Sequence, residues 1–237
     1  MNSIEDLLFK RYLILDGAMG TEIQKIDIEE SLWNGVNGCN EILNKSAPDI
    51  IKNIHKSYLK SGADIIKTNT FGTLPWVLDE YNLGEMSYEL SFLGAKNARD
   101  SINESNNGVG FVAASLGPGT KLPSLRQIDF DTMKNGYVTA LEGLLDGGVD
   151  VILLETCQDP LQIKAAISGC LESFERKNKK LPIMISVTIE LSGTMLIGTD
   201  ITTLHTILEP YDLLSIGMNC GTGPDEAFKH LKELSSI

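Results

Sequence analysis

Short apolar runs recur along the chain, and each is followed by polar or turn-forming residues and then by a stretch with helical periodicity. Most of the runs are continuously apolar rather than alternating, which is typical of strands that are buried on both faces of a parallel sheet. The pattern predicts an alternating β/α chain. Its strands are expected at 12–15, 64–67, 110–114, 151–154, 183–188 and 213–218.

Start and stop signals frame the helices between these runs. These signals are prolines in the first turn, capping aspartates, and glycines just past the helix end. They predict helices over 49–61 and 160–177, from Asp129 or Asp131 to Gly147, after Asp200, and from Pro224 onward. The segments Gly62-Ala-Asp-Ile-Ile and Gly148-Val-Asp-Val-Ile also resemble each other, so we expect the same turn to lead into two of the strands.

The composition excludes several classes of function. The net charge is −12, from 32 acidic and 20 basic residues, so a nucleic-acid partner is not expected. No apolar run is long enough to span a bilayer, and residues 1–10 lack the features of an export signal, so we expect a cytoplasmic protein with no membrane partner. In that reducing compartment the four cysteines are thiols or metal ligands.

Six β/α units fit either a doubly wound sheet or a β/α barrel. The glycines around residue 221 miss the dinucleotide-binding spacing because Glu226 stands where a third glycine is needed. Gly117 and Gly119 likewise miss the phosphate-loop spacing. We therefore predict a TIM-type β/α barrel as a single domain over 1–237. A TIM barrel has eight units in about 250 residues, so we expect this barrel to lack its last two units.

Active sites of such barrels lie at the carboxyl ends of the strands, so we considered those residues together. All six ends are polar, and they carry Asp16, Gly17 and Ala18, Asn69, Ser115, Glu155, Asn219, and Cys220. Two carboxylates are suited to an ammonium group, backbone N–H groups of Gly17 and Ala18 to a carboxylate, and a Cys220 thiolate to a soft metal. The strand ends predict an amino-acid pocket beside a metal.

The motifs at these ends resemble those of one family. They are Asp-Gly-Ala-Met-Gly-Thr at 16–21, Gly-Ala-Asp-Ile-Ile-Lys-Thr-Asn-Thr-Phe at 62–71, Leu-Gly-Pro-Gly-Thr-Lys-Leu-Pro-Ser-Leu at 116–125, Leu-Leu-Glu-Thr-Cys-Gln-Asp at 153–159 and Gly-Met-Asn-Cys-Gly-Thr-Gly-Pro-Asp-Glu at 217–226. In order and spacing, they resemble the homocysteine-binding barrel of cobalamin-dependent methionine synthases.

The resemblance implies a zinc-dependent methyl transfer to the homocysteine thiol that gives methionine. It implies that Cys220 is one of three zinc cysteines; the other two belong to a Gly-Gly-Cys-Cys-Gly motif that this sequence does not contain. Methylcobalamin would be carried on another domain or chain and be remethylated by a methyltetrahydrofolate-binding module. Asp16, Gly17 and Glu155 would bind the amino-acid end of homocysteine, and no catalytic residue is implied beyond the zinc ligand.

The same resemblance implies that Asn69, Ser115 and Asn219 line the pocket. Three alternatives stay open: a non-cobalamin donor such as S-methylmethionine or betaine, an inactive fragment that serves binding or assembly, and a Lys67-dependent aldolase. Cys157 is interpreted as a packed thiol rather than a second metal ligand, and Cys39 and Cys170 as packing residues. The three histidines fall in predicted helices away from the strand ends and are not expected to be ligands.

Overall fold

The computed structural model describes residues 3–105 and 110–237; Met1 and Asn2 of the N-terminal segment lie outside the described residues. Within these described ranges, helices alternate with five strands. The strands are β1 (Ile65–Lys67), β2 (Phe111–Leu116), β3 (Val151–Cys157), β4 (Ile183–Val187) and β5 (Ser215–Met218). The α-helices are α1 (Ile4–Leu8), α2 (Met19–Gln24), α3 (Leu43–Ser46), α4 (Pro48–Lys60), α5 (Pro75–Leu78), α6 (Ser87–Glu104), α7 (Phe130–Gly147), α8 (Pro160–Lys177), α9 (Ile201–Leu208) and α10 (Pro224–Leu234).

The chain divides into two compact units. The first unit comprises Met1–Ser115 and Thr139–Val151, and the second comprises Leu116–Val138 and Ile152–Ile237. In the first unit β1 pairs in parallel with β2, with Ile65 opposite Phe111. In the second unit β4 pairs in parallel with β3 on one side and with β5 on the other. The prediction of a single domain over 1–237 stays a prediction.

The first predicted strand, at 12–15, is not formed as a strand. A single parallel bridge joins Leu15 to Ile65, and Tyr12 and Ile14 are 96% and 59% exposed. The carbonyl of Ile14 accepts hydrogen bonds from the N–H groups of Asp64 and Ile65. The run therefore follows β1 for only a short distance, because its apolar side chains find little to pack against among the described residues. The expected six strands are therefore corrected to five in the part of the chain that the structure describes.

The two similar segments do form the same turn. Gly62 and Gly148 both have a positive φ, at +100° and +93°, where glycine is favoured. The Asp64 carboxylate accepts the N–H of Ile14 at 2.9 Å and pairs with Arg11, and the Asp150 carboxylate accepts the N–H of Val112 at 2.7 Å and pairs with Arg99. Each aspartate precedes a strand and accepts a backbone N–H of a segment earlier in the chain.

Each unit has apolar packing that fixes these elements. In the first unit the buried cluster joins α2, α3, α4 and α6, with Leu43, Ile51 and Leu90 fully buried. In the second unit β3 and β4 are nearly continuous apolar strands, and α8 buries Ile163, Ile167 and Phe174. Among the described residues, no helix combines the length and the apolar character needed to cross a membrane.

Candidate functional site

Asp16 lies in the first unit, where the 12–15 segment ends beside β1. Its N–H donates to the carbonyl of Ile65 at 2.9 Å, and its carboxylate accepts the N–H of Lys67 at 2.9 Å. Both contacts are to β1, so the backbone and the carboxylate of Asp16 are fixed relative to the carboxyl end of that strand. Lys67 is half-buried, and the aldolase alternative stays a hypothesis.

Gly17 and Ala18 form the exposed turn between Asp16 and α2. A Cβ at Gly17 would lie 2.8 Å from the hydroxyl oxygen of Tyr58, so a side chain there would force Tyr58 to shift. That hydroxyl donates to the carbonyl of Ala18 at 3.0 Å. Partial burial, together with the charges of Glu22 and Asp16, raises the pKa of Tyr58. Tyr58, which the sequence motifs did not single out, therefore holds this turn against α4.

Asn69 and Ser115 are buried and hydrogen-bonded within the first unit. The Asn69 amide donates to the carbonyl of Asn40 at 2.9 Å and to Oδ1 of Asn44 at 3.0 Å. The N–H of Ser115 donates to the Thr68 hydroxyl at 3.0 Å, and its carbonyl accepts from the Thr70 hydroxyl at 2.7 Å. These contacts show both residues fixing the loops that follow β1 and β2. Their role as pocket lining stays a prediction.

Glu41 is a carboxylate near the end of β1 that the sequence analysis missed. Its Oε1 accepts the N–H of Gly72 at 2.7 Å, and Cys39 Sγ lies 3.8 Å from its Oε2. Burial raises the pKa of Glu41, and burial with the nearby Glu41 charge raises the pKa of the Cys39 thiol to about 11. The signal in the sequence was one acidic residue between Asn40 and the apolar Ile42, which is weak. Cys39 itself is buried, as expected of a packing residue.

Glu155 and Thr156 lie near the carboxyl end of β3 in the second unit. Glu155 is 8% exposed, so a carboxylate is held in a largely buried position. Thr156 has a φ of +61°, an uncommon conformation for a β-branched residue. The pairing of β3 with β4 shifts register between Leu154 and Cys157, on either side of these two residues. The strand therefore departs from regular geometry where the predicted ammonium-binding carboxylate stands.

Asn219 follows β5, and its side-chain amide connects β3, β4 and β5. Its Oδ1 accepts the N–H of Thr156 at 3.1 Å and the Ser186 hydroxyl at 2.5 Å. Its Nδ2 donates to the Thr156 hydroxyl at 2.8 Å and to Sγ of Cys220 at 3.2 Å. The structure thus brings Asn219, Thr156 and Cys220, and with them the neighbouring Glu155, into one connected group in the second unit.

Cys220 is exposed, whereas the other three cysteines are buried. Cys220 and Gly221 have consecutive positive φ values of +59° and +76°. A Cβ at Gly221 would lie 2.5 Å from the carbonyl oxygen of Ile189, so only glycine fits there. Within residues 3–105 and 110–237, no three His, Cys, Asp or Glu side chains come together in a way that could hold a metal ion. Zinc sites use at least three protein ligands, so the described residues do not form a complete zinc site, and Cys220 as a zinc ligand stays a prediction.

The remaining candidate residues lie in packed or helical positions. Cys157 is fully buried, and its thiol receives the Gln162 amide N–H at 3.6 Å. Burial raises the pKa of the Cys157 thiol to about 12 and also raises the pKa of the Cys170 thiol in α8. The interpretation of both as packed thiols agrees with this burial. His55, His205 and His230 fall in α4, α9 and α10, as expected.

The fold matches that of known methyltransferase structures. The crystal structure of the homocysteine methyltransferase MmuM from Escherichia coli in its oxidized form aligns with a TM-score of 0.79 and 22% identity, covering all of this chain and 83% of that one. The metallated form aligns with a TM-score of 0.78, also at 22% identity and over all of this chain. The fold is therefore an α/β fold of the TIM-barrel type that is incomplete, as predicted.

The sequence comparisons define the family more narrowly. Residues 13–237 match the family model of homocysteine S-methyltransferases, and the chain belongs to that family. It is 42% identical over 232 residues to the methionine synthase of Mycobacterium tuberculosis, and 39% identical to that of Mycobacterium leprae. These alignments cover 97% of this chain but only 20% and 19% of the two relatives, so the chain spans about a fifth of their length.

Proposed function

We propose that this chain is the homocysteine-binding portion of a methionine synthase and takes part in methyl transfer to the homocysteine thiol. The observation that carries the proposal is the 42% identity to a methionine synthase over 97% of the chain. In the reaction a new bond forms between the homocysteine sulfur and the methyl carbon. The bond between that carbon and the donor breaks, and the thiol gives up its proton.

The polar groups of each unit support this proposal by their chemistry. In the first unit, the exposed N–H groups of Gly17 and Ala18 are suited to the carboxylate of homocysteine, and the Asp16 carboxylate to its ammonium group. In the second unit, the largely buried Glu155 carboxylate is suited to the ammonium group as well. A charge-assisted hydrogen bond contributes more at a more deeply buried carboxylate, and Glu155 is buried whereas Asp16 is only partly buried. We therefore assign Glu155 the larger share of amino-acid binding.

The proposal extends to the cofactors. We propose that the activity depends on zinc, that Cys220 is one zinc ligand, and that the methyl donor is methylcobalamin carried on another domain or chain. Zinc at such a position would stabilise a coordinating thiolate. The described residues do not complete a zinc site, so the remaining ligands are proposed to come from a Gly-Gly-Cys-Cys-Gly segment beyond this sequence. A cobalamin-binding and a methyltetrahydrofolate-binding module are proposed as partners from the resemblance of the strand-end motifs to those of cobalamin-dependent methionine synthases.

Binding of homocysteine to the purified chain tests whether homocysteine is the substrate. We expect Glu155→Gln to weaken binding by about 1.5 to 3 kcal/mol, or roughly tenfold to a hundredfold in Kd, because it removes a charge-assisted hydrogen bond. Isothermal titration with homocysteine and with methionine measures the change. Glu175→Gln, on the exposed face of α8, is the matched control and should leave the Kd unchanged. Equal affinities for Glu155→Gln and wild type would remove Glu155 from the site.

The methyl donor needs a separate experiment in a longer polypeptide that continues past Ile237 into the Cys-Cys motif. Methylcobalamin, S-methylmethionine and betaine are each offered with homocysteine, and methionine is measured by mass spectrometry. We expect product with methylcobalamin and none in a Cys220→Ala variant. Product from betaine or S-methylmethionine alone would replace the cobalamin proposal. Homocysteine binding without product from any donor would favour the binding or assembly alternative.

A further inference from the structure

We propose that Asn219 is a positioning residue: its amide holds Thr156 in a left-handed conformation and orients the Cys220 thiol, so that Glu155 and Cys220 keep a fixed relation. This inference deepens the proposed function and rests on it for the identity of the ligand. It replaces the expectation that Asn219 lines the pocket. The juxtaposition that carries it lies wholly within the second unit.

The first step is the hydrogen bonding of the Asn219 amide. An asparagine side chain offers two acceptor sites on Oδ1 and two donors on Nδ2. Here Oδ1 accepts from the Thr156 N–H and the Ser186 hydroxyl, and Nδ2 donates to the Thr156 hydroxyl and to Cys220 Sγ. All four sites are in use within the protein. The amide therefore has no site left for a substrate, which argues for a role in positioning.

The second step is the conformation of Thr156. A β-branched residue at a φ of +61° is strained, and such residues persist only when their surroundings hold them. Asn219 contacts both the N–H and the hydroxyl of Thr156, at 3.1 Å and 2.8 Å. This two-point contact fits the left-handed conformation and would be lost if Thr156 relaxed to a regular strand conformation. Asn219 is thus the group that stabilises the strained residue.

The third step links Thr156 to Glu155. The two residues are adjacent, and the register shift between Leu154 and Cys157 shows that the strand is irregular on both sides of Thr156. Relaxation of Thr156 would turn the peptide that joins it to Glu155 and displace the carboxylate from its largely buried position. The placement of Glu155 therefore depends on Asn219 through Thr156.

The fourth step concerns the thiol. Asn219 is anchored by its own backbone, since its N–H donates to the carbonyl of Val187 at 3.0 Å. Cys220 then adopts a left-handed backbone conformation, and the N–H of Thr222 donates back to the Cys220 carbonyl at 2.9 Å. Within this tight turn the Asn219 amide donates to Sγ at 3.2 Å. One side chain thus fixes both the acid-bearing strand and the thiol-bearing turn.

A double-mutant cycle with Thr156→Gly tests the inference, with homocysteine affinity as the readout. Glycine adopts a positive φ without strain, so it removes the need for Asn219 to hold residue 156. We expect Asn219→Ala to raise the Kd for homocysteine by about tenfold, and Thr156→Gly in that background to recover about fivefold. Ser186→Ala, which removes only one partner of Oδ1, is the control and should stay within about twofold of wild type. An unchanged Kd in Asn219→Ala, or no recovery on adding Thr156→Gly, would overturn the proposal.

A second readout separates this inference from the proposed function. If the wild-type chain does not bind homocysteine, the proposed function fails, while native-state hydrogen exchange still reports on the positioning. We expect the Thr156 amide to exchange about tenfold faster in Asn219→Ala, because its acceptor is gone, and the Ile152 amide, which donates to Pro182, to exchange at an unchanged rate. Equal protection of Thr156 in both proteins would refute the inference. If Asn219→Ala does not fold, Asn219→Leu replaces it, since leucine has a similar shape but offers neither a donor nor an acceptor to Thr156 and Cys220. For Asn219→Leu we expect the same loss of homocysteine affinity and the same recovery with Thr156→Gly, and an unchanged affinity would refute the inference.

Discussion

Asp159 and Ser124 are joined by two hydrogen bonds, since the buried Asp159 carboxylate accepts the Ser124 N–H at 2.9 Å and its hydroxyl at 2.8 Å. The same carboxylate caps α8 by accepting the N–H of Leu161 at 2.8 Å. One side chain therefore ties the helix start that follows β3 to the loop that follows β2. This loop carries the Leu-Gly-Pro-Gly motif by which the chain resembles methionine synthases.

Replacing Asp159 should destabilise the second unit more than removing an ordinary helix cap does. We expect Asp159→Ala to lower the free energy of unfolding by about 2 to 3 kcal/mol, because it removes a buried carboxylate that accepts three hydrogen bonds. Asp200→Ala, which removes an exposed cap from α9, is the matched control and should cost about 1 kcal/mol. Urea unfolding followed by circular dichroism measures both. Equal losses would show that the bonds to Ser124 contribute nothing.

His55 should make stability depend on pH. It is fully buried in α4, neither ring nitrogen has a hydrogen-bond partner in the described part of the chain, and burial lowers its pKa from 6.5 to about 4. Below pH 6.5 the unfolded chain binds a proton that the folded chain does not bind until near pH 4. Stability contributed by the neutral ring is therefore present above pH 6.5 and is lost as the pH falls through this window, by about 3 kcal/mol in total.

The measurement is the free energy of unfolding at several pH values between 7 and 4.5, in wild type and in His55→Leu. Leucine keeps the apolar packing and cannot titrate. We expect the free energy of unfolding of His55→Leu to rise steadily relative to that of wild type as the pH falls. Since the other titrating groups are common to both proteins, parallel curves would show that His55 is not the cause.

The alternation of strands and helices could be predicted from the sequence because burial on both faces leaves a continuous apolar run. The repeated turn was confirmed for a similar local reason, since Gly62 and Gly148 mark positive φ values and the aspartates that follow reach the preceding segment. The predicted strand ends were less accurate. The strand predicted at 151–154 extends to Cys157 in the structure. The prediction ended too early because Glu155 and Thr156 are polar and were assigned to a loop, although their backbone continues the strand.

The contacts that fix the candidate site were beyond sequence analysis because they join distant residues. Nothing local in the sequence indicates that the Tyr58 hydroxyl reaches Ala18, or that Asn219 reaches Thr156. The motif at 217–226 predicted Asn219 as a site residue but did not indicate its contacts with Thr156 and Cys220. The apolar run at 12–15 failed as a strand because pairing and burial depend on neighbours that the run itself does not specify.

The two glycines of the Asn-Cys segment should respond differently to alanine. At Gly221 a Cβ would meet the carbonyl oxygen of Ile189 at 2.5 Å, and the φ of +76° is itself unfavourable for alanine. We expect Gly221→Ala to cost about 2 to 3 kcal/mol of unfolding free energy. Gly217, in β5, has nothing within 4 Å of its Cβ position. Gly217→Ala should therefore stay within about 0.5 kcal/mol of wild type, and similar losses at both positions would contradict the steric explanation.

The cysteines should differ in reactivity. Cys220 is exposed, whereas Cys39, Cys157 and Cys170 are buried and burial raises the pKa of each of these three thiols. Because the thiolate is the reactive form, we expect iodoacetamide at neutral pH to modify one thiol in the native chain and all four in urea. Mass spectrometry of the intact chain counts the adducts. Cys220→Ala should leave the native chain unmodified, and a second rapid adduct in wild type would show that a buried cysteine becomes accessible.

Zinc binding by the 237-residue chain should be weak, for a reason that follows from ligand number. Zinc sites use at least three protein ligands, and the described residues contain no group of three that could hold a metal ion. The other cysteines would have to leave packed positions and lose protons from thiols whose pKa is raised, which opposes their recruitment. We therefore expect well below one zinc per chain after gel filtration, measured by atomic emission. A polypeptide extended through the Cys-Cys motif should hold one zinc, and Cys220→Ala should abolish it. One tightly bound zinc on the 237-residue chain would contradict this account, and its loss in Cys157→Ala would identify Cys157 as a second ligand.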